Sequence, residues 1–287
     1  MKKHIEIILA IAVGFAFSSC SKLQNNVLAP ASVQDVVHPA GWTDLNSSEF
    51  HGTYIKQHNY DLATCASCHG ADYRGGISGK SCYTCHEETN GPLACNTCHG
   101  SLNNAAPPPD LSGNTSTTDP GVGAHQSHLA GNSYLSSVAC SSCHVVPQAA
   151  GPGIHPFGTQ SALVAFSGVA TTETNTPGSR FYDSTQPTVV PQPMFNQQTL
   201  ECSNTYCHGD FKNGNNYTPT WNKTTSGQAA CGTCHGIPPN TPIHRGQTMQ
   251  TCYLCHEPMI GPNGVIQDSS LHVNGKLELY GKSLSVW

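Results

Sequence analysis

The sequence predicts a mostly irregular fold, with short helices at a repeated cysteine motif, a small β element in the C-terminal part, and an interior not made of aliphatic side chains. Three observations predict it. Only 37% of the 287 residues are hydrophobic and 10% are charged. Glycine (28) and proline (20) are frequent enough to interrupt most regular elements. Cys-x-x-Cys-His occurs six times, at Cys65–His69, Cys82–His86, Cys95–His99, Cys140–His144, Cys231–His235 and Cys252–His256, with a stretched Cys-x-x-x-x-Cys-His at Cys202–His208. A chain this poor in apolar residues does not close an ordinary core over such a length.

The repeated motif explains both the helices and the missing core. Cys-x-x-Cys-His is the attachment signal for c-type haem. Cysteines at i and i+3 lie on one side of a helical turn, so both thiols reach one porphyrin edge. The candidate covalent sites are Cys65 and Cys68, Cys82 and Cys85, Cys95 and Cys98, Cys140 and Cys143, Cys202 and Cys207, Cys231 and Cys234, and Cys252 and Cys255. The following histidines, His69, His86, His99, His144, His208, His235 and His256, are the proximal iron ligands through a neutral imidazole nitrogen. In the stretched copy four residues, Ser203 to Tyr206, separate the cysteines, and the backbone there must bulge. Paired cysteines with histidine also build zinc sites, but a histidine directly after every pair is the haem pattern. Seven covalently bound haem c groups are therefore expected, and their plates replace the absent Leu and Ile.

The motifs use all but one of the 15 cysteines, so no pair is left for a structural disulfide. The remaining Cys20 closes an N-terminal segment with Lys2 and Lys3 ahead of an apolar run from Ile5 to Phe17. This reads as an export signal, too short for a comfortable membrane span. Residues 21–37 read as a tether, 38–102 as a three-haem unit, 103–123 as a Pro- and Ser/Thr-rich linker, and 124–287 as a four-haem unit. In the last unit, Ala162–Ala170 and Pro187–Pro191 read as short strands, and Lys276–Tyr280 as a strand to pair with one of them.

Of 16 histidines, seven lie in the motifs and His4 in the signal. The other eight, His38, His51, His58, His125, His128, His155, His244 and His272, are candidate distal ligands for seven irons. Three precede the first three motifs and five accompany the last four. Met194, Met249 and Met259 are softer alternatives, which histidine supply makes unnecessary. Imidazole on both sides of an iron leaves no open position for substrate, which points to electron transfer. The net charge of −5 argues against a nucleic-acid partner.

The C-terminal unit carries Gly123-Ala-His-Gln-Ser-His-Leu129, Cys140-Ser-Ser-Cys-His-Val-Val-Pro147, Cys202-Ser-Asn-Thr-Tyr-Cys-His-Gly209 and Cys231-Gly-Thr-Cys-His-Gly-Ile-Pro-Pro239. This resembles the CxxxxCH/CxxCH domain of outer-surface multihaem cytochromes of metal-reducing bacteria, over roughly residues 120–275. The resemblance implies a haem-packed multihaem cytochrome c that carries electrons toward extracellular metal acceptors or other cytochromes. The N-terminal segment similarly resembles a lipobox, which makes Cys20 the lipidated residue of an outer-membrane lipoprotein, at the cell surface or facing the periplasm, and held to the membrane by lipid alone. Two alternatives stand beside a simple carrier: a subunit of a self-assembled conductive filament or of a porin-linked conduit, and a reductase with one open iron site.

Overall fold

The computed structural model describes residues 37–148, 162–225 and 227–285. The chain divides into two compact units, one ending at His58 and the other beginning at Asn59. Cys20, the export segment, nearly all of the tether and His155 lie outside the described residues.

The first unit is organised by Trp42. Its indole stacks on His38 at 4.4 Å with 6° between planes, and meets His51 at 6.2 Å and Tyr54 at 5.2 Å. His51 opens the helix α1 (His51–Gln57), and His58 caps its C-terminus. The His51 backbone N–H donates to the Trp42 backbone carbonyl at 2.8 Å, which ties the helix start to the Trp42 backbone.

The second unit is mostly turns. Its α-helices are α2 (Ala63–His69), α3 (Cys95–Cys98), α4 (His125–Leu129) and α5 (Tyr253–His256), none longer than two turns. Short 3-10 turns at Cys82–Thr84, Cys140–Ser142 and Tyr206–His208 serve further motifs. Local side chains start these pieces. Asp61 Oδ1 accepts from Ala63 N at 2.8 Å ahead of α2, and the Ser81 hydroxyl accepts from Tyr83 N. Gly70, at φ 85, ends α2, and Gly76 packs so tightly beneath it that a Cβ there would fall 2.3 Å from Gly70 N.

Regular β structure is limited to two hairpins. β1 (Met194–Asn196) pairs antiparallel with β2 (Glu201–Ser203), placing Phe195 opposite Cys202. β3 (Leu277–Leu279) pairs with β4 (Lys282–Leu284). The second turn is Tyr280-Gly281, with φ of 50 and 70, the left-handed pair that a tight hairpin requires. The expected β pairing is therefore corrected: the tail folds on its own continuation. Ala162–Ala170 contributes one bridge, Val164 to His144, before Gly168 at φ 57 turns it into a 3-10 turn. Pro187–Pro191 contributes one bridge, Val189 to Thr174. Its flanking prolines have no N–H with which to extend a ladder.

Residues 103–123 pack against a distant loop of the same unit. Trp221 Nε1 donates to Pro120 O at 2.9 Å and Asn222 Nδ2 to Thr118 O at 2.8 Å, and Val122 is 1% exposed. Residues 174–189 are wound around Asn175. Its Nδ2 donates to the carbonyls of Asp183, Gln186 and Pro187 at 2.9–3.0 Å, while Lys212 Nζ donates to its Oδ1 at 2.9 Å.

Buried apolar side chains are sparse among the described residues: Tyr73, Ala94, Val122, Ala170 and Tyr206. Ile77 (87%), Leu102 (85%) and Ile243 (75%) stand exposed, next to or within a few residues of motif or candidate-ligand positions.

Candidate haem sites

The motif geometry begins with one backbone bond. In four copies the histidine N–H returns to the carbonyl of the first cysteine: His86 to Cys82 at 3.0 Å, His99 to Cys95 at 3.0 Å, His144 to Cys140 at 2.9 Å and His256 to Cys252 at 2.9 Å. Cys65–His69 lies within α2. This closes one helical turn and sets both thiols and the imidazole on one side of it. Cys231–His235 is a turn without helix. None of the fourteen motif cysteines is joined in a disulfide.

The stretched motif is built differently. Cys202 lies on β2, Cys207 lies in the 3-10 turn Tyr206–His208, and Asn204, at φ 54, makes the corner between them. The two extra residues are absorbed by a strand-to-turn corner. Tyr206, 5% exposed, fills that corner and packs on Phe211 with ring centres 5.4 Å apart.

The imidazoles are oriented by their Nδ1 atoms. Nδ1 faces a backbone carbonyl in His51 (Trp42 O, 2.9 Å), His58 (Tyr54 O, 2.8 Å), His69 (Lys80 O, 2.7 Å), His125 (Val122 O, 2.7 Å) and His128 (Ala124 O, 2.9 Å). The same holds for His144 (Leu163 O, 3.2 Å), His235 (Gly236 O, 2.8 Å), His256 (Glu278 O, 2.8 Å) and His272 (Tyr134 O, 2.6 Å). A carbonyl only accepts, so the proton sits on Nδ1 and the lone pair on Nε2, the tautomer that a metal ligand needs. His244 differs, with Nδ1 2.6 Å from the Thr241 hydroxyl.

Each of the last four motif histidines faces one of the other histidines. His144 faces His125 at 6.2 Å between ring centres, with planes 18° apart. His208 faces His128 at 6.2 Å and 80°, His235 faces His272 at 6.4 Å and 78°, and His256 faces His244 at 6.4 Å and 12°. Two metal–imidazole bonds of about 2 Å, with about 1 Å from each nitrogen to its ring centre, separate such rings by about 6 Å. The spacing fits one iron between each pair. The zinc alternative requires four converging ligands, and among the described residues no group of three or more His, Cys, Asp or Glu converges in that way.

Burial shapes the chemistry of the middle sites. Burial, then the neighbouring His128, hold His208 down at about 4. Burial, with smaller contributions from neighbouring cysteines, pushes Cys207 up to about 12 and Cys202 up to about 11. Cys143 is among the neighbours acting on both, and Cys234 Sγ lies 3.7 Å from Cys207 O, so the motifs of His144, His208 and His235 converge. Burial also lowers His125, His244 and His272. Three aromatic residues that the motif reading did not single out line this region: Tyr206, Phe211, 6.3 Å from His235, and Trp221, between His125 and His128. Trp221 carries no motif signal, because its partners lie about a hundred positions away.

Residues 201–235 match the family model described as the Geobacter CxxxxCH...CXXCH motif, from β2 through His235. This segment carries the c-type cytochrome motif. No curated protein and no solved structure matched the chain. Among the described residues no helix is long and apolar enough to cross a membrane.

Proposed function

We propose that this chain, which carries the c-type cytochrome motif over residues 201–235, is an exported seven-haem cytochrome that passes electrons toward acceptors at or beyond the outer membrane. Haem supplies reversible one-electron chemistry at its iron. The paired thiols would hold a porphyrin edge, and the motif imidazoles would bind its iron. His125, His128, His272 and His244, each facing one of the last four motif histidines, would supply the second imidazole there. Where a carbonyl accepts from Nδ1, as at His125, His128 and His272, Nε2 becomes a stronger donor and the ring is fixed. With imidazole on both faces, no position is open to a substrate, so these residues favour electron transfer over reduction at iron.

The observation that carries this reading is the set of four histidine pairs at 6.2–6.4 Å, each joining one motif histidine to one other histidine. The exposed apolar side chains and the small core support it, because flat apolar cofactors account for both. Lipidation at Cys20 would hold the protein to the membrane, with other cytochromes or extracellular metal acceptors as redox partners. Carbon monoxide added to the reduced protein tests the ligation. Unchanged spectra are expected, and a stoichiometric adduct in the native protein would restore the reductase reading.

A further inference from the structure

Resting on that haem reading, we propose that Trp221 is a positioning residue that sets the imidazole planes of His125 and His128, and through them the electronic character of two neighbouring irons. The two histidines stand three residues apart on α4, each with Nδ1 bonded to a carbonyl just before the helix, Val122 O at 2.7 Å and Ala124 O at 2.9 Å. Their planes relative to their partners nevertheless differ, 18° for His125 with His144 and 80° for His128 with His208. The indole lies against both. It meets His125 edge-on, at 4.8 Å and 87°, and His128 nearly face-on, at 5.8 Å and 27°.

A hydrogen bond fixes where Nδ1 points but leaves the ring free to tilt about that direction. A rigid plate against the ring removes that freedom. Trp221 is itself held: Nε1 donates to Pro120 O at 2.9 Å, and Asn222 Nδ2 donates to Thr118 O at 2.8 Å. Gly123 leaves room for the indole, since a Cβ there would fall 1.9 Å from Nε1. In low-spin ferric iron, parallel imidazole planes donate into the same d orbital, whereas crossed planes donate into two. The relative plane therefore sets the orbital splitting that electron paramagnetic resonance reads, and it contributes to the potential.

The test is the full-length haem-loaded protein carrying W221L, with haem content checked by intact mass. At full load, one near-parallel and one near-perpendicular low-spin signal are expected to move, while those of the His235/His272 and His244/His256 sites stay. A spectrum that superimposes on wild type at full load overturns the role of Trp221. If W221L does not load, W221F decides: its smaller plate, without the N–H held by Pro120, shifts the same two signals less and in the same direction, and an unshifted spectrum overturns the role. Failure of the wild-type protein to carry haem at these motifs would instead sink the haem reading itself.

Discussion

The imidazole of His272 meets that of His235 at 6.4 Å with planes 78° apart, and its Nδ1 lies 2.6 Å from Tyr134 O, 138 positions away in the chain. One candidate ligand is thus aimed by a distant carbonyl at one motif. Similar pairs at three further motifs divide into two geometric classes, and the first prediction follows from that division.

The oxidised protein is expected to show two families of low-spin ferric signals from its C-terminal half. The pairs at 12° and 18° give rhombic signals, and those at 78° and 80° give strongly anisotropic ones. Electron paramagnetic resonance of the native protein checks this, and a single family would contradict the described ring planes.

Replacing His244 by methionine exchanges imidazole for a thioether opposite His256, whose ring lies 6.4 Å away. Thioether ligation favours ferrous iron. One potential in a redox titration is expected to rise, by on the order of 0.1 V, while the others hold. An unchanged titration would remove His244 from the ligand set.

The knot at Asn175 should matter for stability and not for haem chemistry. N175A removes the amide that satisfies the carbonyls of Asp183, Gln186 and Pro187 and leaves the Lys212 ammonium without one partner. Leaving such groups unsatisfied costs about 1–3 kcal/mol. Denaturant unfolding should show that loss with haem content unchanged.

Much of this architecture is legible in the sequence, because its chemistry sits in contiguous motifs. The thiol pairs, the histidine that follows each, and the supply of other histidines can all be read locally. The pairing cannot. His125 and His128 precede both of their partners, and those connections interleave, whereas His244 and His256 lie inside the span from His235 to His272. Residues 103–123 read as a spacer, since composition does not reveal that the carbonyls of Thr118 and Pro120 receive bonds from Asn222 and Trp221. The strand at Cys202 is equally hidden, because the register of β1 with β2 depends on a turn around Asn196 and Leu200, and Met194–Asn196 has no alternating run.

Intact mass of the mature native protein tests the central claim most directly. Seven covalent haem additions, one per thiol pair, are the expected result. Fewer additions, or a mass explained by zinc or by disulfides at the motif cysteines, would contradict it.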